Sequence, residues 1–167
     1  MTRHGWRAPG RVRAPITTAA ALLACALAAC GGSPPSLAMP DLVARVNAIC
    51  ASYAERVEAI EPPAFTPASA TAADLTAAAR YLDRAVPLLQ SEQDSIQAAG
   101  TPTTDRSLYD SMLATLAAHI HDEQAARAAA HAGDLHSFRA AFRADQAATT
   151  RLSGIGQQLG VTSCLSS

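Results

Sequence analysis

TAADLTAAARYLDRAVPLLQSEQDSIQAAG, residues 71–100, decides the fold. Leu75, Leu82, Leu89 and Ile96 recur every seven residues, with Val86 between them. A side chain every seven residues returns to the same side of an α-helix after two turns, so these five line one apolar stripe. Alanine, the best helix former, fills much of the remainder. Pro87 lies inside the run and predicts a kink or a gap in the backbone hydrogen bonds. Gly100 ends it.

Three further stretches read the same way. Leu42, Val46, Ile49, Tyr53, Val57 and Ile60 step by three and four, predicting a helix over 41–60. Pro40 suits its first turn, and Pro62 and Pro63 stop the chain beyond it. Leu108, Met112, Leu116 and Ile120 give a helix over 105–132. Leu135, Phe138, Phe142, Leu152 and Leu159 give another up to Gly160, with Gly154 and Gly156 expected to weaken its last turns. Gly133 reads as a C-terminal cap and Asp134 as an N-cap. Short loops favour antiparallel neighbours, so the expectation is an all-α, up-down-up-down four-helix bundle over residues 41–167.

The N-terminus has a different character. Arg3, Arg7, Arg11 and Arg13 precede an apolar run of about 14 residues, Ile16 to Ala29. A membrane-spanning helix needs roughly 20. A basic start, a short apolar run and small residues at its end describe a secretory signal peptide. Leu27-Ala28-Ala29-Cys30 resembles the lipobox of bacterial lipoproteins. That resemblance implies cleavage before Cys30 and a lipid on its thiol, the signal peptide being residues 1–29. Two or more acyl chains hold a protein stably at a membrane, where one does not. Residues 30–40 then read as a Gly/Ser/Pro tether. The expected place is the extracytoplasmic face of the cell membrane.

With Cys25 discarded and Cys30 lipidated, Cys50 and Cys164 remain. An exported chain meets an oxidising compartment, where such a pair forms a disulfide. The tail after Gly160 has the reach to run back along the first helix to Cys50. After Cys30 there are nine arginines, no lysine and fourteen carboxylates, a net charge of −5. That balance argues against nucleic acid and against a polybasic contact with lipid. "NAIC" (47–50), "ARYLDRAVPLL" (79–89), "AGD" (132–134) and "LGVTSC" (159–164) resemble a group of exported actinobacterial helical proteins. The resemblance supports the fold and the cysteine pairing and implies no chemistry.

The residues with the best claim to chemistry lie in "HIHDEQAAR", 119–127. His119 and Glu123 are four apart, on or near the inner stripe, and Arg127 extends the row. Antiparallel pairing brings Asp145 opposite, and Tyr53 is expected at similar height. An imidazole with two carboxylates is a metal-ligand set that bundle cores accommodate. Yet di-metal bundles use Glu-x-x-His pairs, and this chain has none. The favoured expectation is a structural layer in which Glu123 pairs with Arg127 and fixes helix register. The alternative is a metal or small-ligand site on His119, Glu123 and Asp145. His121 points to another face, and His131 and His136 flank a turn as solvated, pH-sensitive groups. No Gly-x-Ser-x-Gly, His-Glu-x-x-His, Cys-x-x-Cys or phosphate loop occurs. The expected protein is therefore not an enzyme and needs no cofactor. Its expected partners are the membrane, through Cys30, and a protein bound to a helical face.

Overall fold

The structure, a computed structural model, describes residues 34–165. The signal peptide and the lipobox Leu27-Ala28-Ala29-Cys30 lie outside the described residues. The elements run β1 (Ser36–Leu37), α1 (Met39–Glu58), α2 (Leu75–Ala99), β2 (Thr101–Pro102), α3 (Arg106–Ala132) and α4 (Leu135–Leu159). They form the all-α, four-helix bundle. Among the described residues no helix is long and apolar enough to cross a membrane.

Each boundary has a local cause. Pro40 and Asp41 sit in the first turn of α1, where an amide hydrogen is not needed and a negative charge meets the positive end of the helix dipole. A capping box of Thr71 and Asp74 leads through a short 3-10 turn into α2. Helix α2 runs unbroken through Pro87, which is solvent-exposed. Gly133, at φ +70°, donates its amide to Ala130 O, while Asp134 N bonds to Ala129 O. The Asp134 carboxylate then accepts from Ser137 N at 3.0 Å and starts α4. Helix α4 continues through Gly154 and Gly156, the latter buried, to its cap at Gly160.

Two apolar clusters fill the interior. One joins the start of α1 to the ends of α2 and α4 and to the first half of α3, around Leu42, Val46, Ile96, Tyr109, Met112 and Leu116. The other occupies the opposite end, around Leu75, Leu82, Val86, Ala126 and Phe138. Consecutive helices pack on one another. The C-terminal tail links α4 to α1. Asn47 grips it, donating to Gly160 O at 3.1 Å and accepting from the amides of Thr162 and Ser163 at 2.9 and 3.0 Å. Val161 is buried beneath, and Cys50 and Cys164 stand at disulfide distance, Cα atoms 4.9 Å apart.

Within the stretch 30–40 expected as a tether, residues 36–37 are docked on the bundle. Ser36 and Leu37 pair in parallel with Thr101 and Pro102, through Thr101 N to Pro35 O and Thr103 N to Leu37 O. Gly100, at φ +144°, makes this docking possible, since a Cβ there would lie 2.7 Å from Pro35 O.

Candidate functional site

The polar side chains meet near the junction of the two apolar clusters. His119 Nδ1 is hydrogen-bonded to Asp145 Oδ1 across α3 and α4. Glu123, one turn after His119, completes the set. One ligand atom from each of His119, Glu123 and Asp145 lies within 4.8 Å of the other two. All three line a groove of about 600 Å³, with Tyr81 and Ala85 of α2 on the opposite wall.

His119 also lines a second space, an interior cavity of about 70 Å³. The walls there are largely apolar, among them Leu89, Ile96, Met112 and Leu116. Glu92 enters it from α2. Its spacing from Leu89 and Ile96, three and four residues, puts it on the buried stripe, and only 9% of its surface is exposed. That spacing was visible in the sequence. Glu92 escaped notice because a carboxylate inside an apolar stripe breaks the pattern used to find the stripe.

Burial of this kind moves proton equilibria. Desolvation lifts Glu92 to about 7 against the opposing field of His119. Desolvation also lifts Glu123 to about 7, helped by the charge of Asp145 and opposed by His119. For His119, desolvation works against the charged form but is outweighed. The hydrogen bond to Asp145 and the fields of Asp145, Glu123 and Glu92 raise it above its ordinary value. Burial, then the Glu123 charge, raises the Tyr81 hydroxyl. One imidazole thus faces three carboxyl groups, two of which change charge near neutral pH.

Two expectations need correction. Arg127 does not pair with Glu123. Its Nε stands 4.0 Å from Asp83 Oδ1 on α2, in a half-exposed pair. His131 Nε2 bonds to the same Asp83 oxygen at 2.9 Å. A long arginine reaches a surface carboxylate without giving up its hydration, whereas pairing with Glu123 would draw it towards the interior. Tyr53 is not in the His119–Glu123–Asp145 set either. Its hydroxyl pairs with Ser95 Oγ at 3.3 Å, while the ring lines the interior cavity and carries the Arg56 guanidinium 4.8 Å from its centre. His121 is exposed, on another face of α3.

No family model matches this chain, and neither a curated protein nor a solved structure matches it.

Proposed function

We propose that this protein is a non-enzymatic, extracytoplasmic lipoprotein, anchored through lipid on Cys30, whose bundle binds a divalent cation through His119, Glu123 and Asp145. The observation that carries the binding site is the convergence of these three ligand atoms on a groove wall where, among the described residues, no arginine is paired with Glu123. One imidazole and two carboxylates suit manganese, ferrous iron or zinc. Three protein ligands leave coordination positions open to water or to a bound molecule in the groove. A purely structural layer loses its main support, because the arginine meant to neutralise Glu123 is engaged at Asp83.

Cation binding replaces protons. The hydrogen shared by His119 and Asp145 must leave, and Glu123 must ionise. Affinity therefore rises with pH through about 7, where Glu123 titrates, and loss of the His119 proton works in the same direction. Calorimetric titration of the full chain, made without a histidine tag, tests this with manganese and zinc. One ion per chain is expected above neutral pH, with binding weakened at least about tenfold in Asp145→Asn. Absence of stoichiometric binding, or an unchanged Asp145→Asn, overturns the site. The anchor is tested separately: Cys30→Ala should move the protein out of the detergent phase. Retention there would sink the lipoprotein reading.

A further inference from the structure

We infer that the interior cavity is a second binding site, for a small apolar molecule carrying one ammonium group, with Glu92 as its counter-ion. This goes beyond the proposed cation site, because Asp145 and Glu123 line the groove and not the cavity.

The cavity offers apolar walls and an acceptor short of donors. Glu92 is more than nine-tenths buried and makes no hydrogen bond or ion pair with any described residue. Burying a carboxyl without a partner costs several kcal/mol in general, so such groups are normally satisfied by protein, water or ligand. Two nearby donors are committed elsewhere. The Tyr53 hydroxyl is paired with Ser95, and His119 Nδ1 is bonded to Asp145. The two cysteines are joined and have no thiol hydrogen to give. A ligand that brings its own donors would satisfy Glu92, and an ammonium brings three. Its remaining atoms must be apolar to lie against Leu89, Ile96, Met112 and Leu116. The volume exceeds the ~10–15 Å³ that one water occupies on the same measure, so several heavy atoms fit. The tail residues Val161 and Cys164 form part of the wall.

Fluorine NMR titration of the full chain with 2-fluoroethylamine, and with the matching alcohol and carboxylate, tests the assignment. The amine should bind saturably, one per chain, and the alcohol at least about tenfold more weakly. The carboxylate should not bind. Glu92→Gln, which keeps the shape, should weaken the amine ~10–100-fold, as expected for losing a charge-assisted hydrogen bond, and leave the alcohol unchanged. Ala54→Leu, which fills the cavity from α1, should abolish binding of both. Ala54→Leu should still bind manganese in the groove, whose wall does not include Ala54, so failure here and failure of the groove site are read apart. Thermal melts establish that each variant is folded. Should Glu92→Gln not fold, Ala54→Leu decides. Equal binding of amine and alcohol, persistence of binding in Ala54→Leu, or no saturable binding overturns the inference, the last meaning that the cavity holds only water.

Discussion

Removing the Cys50–Cys164 bridge by the double change Cys50→Ala and Cys164→Ala should lower the melting temperature by about 15–20 °C without loss of helix. The bridge spans 114 residues and encloses the last turns of α1 and all of α2, α3 and α4. The chain-entropy relation assigns a closed loop of that length roughly 5 kcal/mol, acting on the unfolded chain. Unfolding a domain of this size carries an entropy of about 2.1 cal/mol/K per residue, and the ratio of the two gives the shift. The native bundle itself should persist, because Asn47 still holds the tail through three hydrogen bonds and Val161 remains buried. Far-UV circular dichroism reads both quantities in one melt. Urea titration adds a check: an unfolded chain freed of the loop exposes more surface, so the slope m should rise. A shift below about 5 °C, or an unchanged slope, would show that the stabilisation does not come from closing this loop.

Stability should fall as pH rises from about 5 to about 8. Glu92 and Glu123 go from 4.5 to about 7 on folding and His119 is also raised, so the folded state binds protons more tightly at all three. Their contribution is full below the unfolded value of 4.5 and is lost as each glutamate ionises near 7, on the order of 3 kcal/mol each. Glu92→Gln should raise the melting temperature on the alkaline side and flatten the profile, and an unchanged profile would contradict the buried placement of Glu92. Arg127→Ala should cost less than about 1 kcal/mol by chemical denaturation, since its pair with Asp83 is half-exposed. A loss of several kcal/mol would restore the Glu123 pairing. Gly100→Ala should detach residues 35–37 from the bundle, seen as faster amide exchange at Thr101 and Thr103, whose partners are Pro35 O and Leu37 O. Unchanged protection there would mean that the parallel pairing does not depend on the glycine.

The sequence by itself determined whatever depends on neighbours along the chain. The seven-residue recurrence of Leu75, Leu82, Leu89 and Ile96, the stop at Gly100 and the Gly133–Asp134 turn are local preferences, and each helix follows them. Short connections then leave antiparallel packing as the available arrangement, so His119 and Asp145 were legible as neighbours from opposite helices. Tertiary structure decided what depends on helix rotation and on competition between distant partners. Whether Arg127 turns to Glu123 on its own helix or to Asp83 on the next is a balance of desolvation against reach, and spacing along one helix does not contain it. The same holds for Tyr53, drawn to Ser95 of α2, and for residues 36–37, which read as linker until Gly100 gave them an edge to dock on. Glu92 stands between the two cases. Its place on the stripe is local, but its lack of a partner follows from which side chains of α1, α3 and the tail surround the same cavity, and only the packed bundle brings those together.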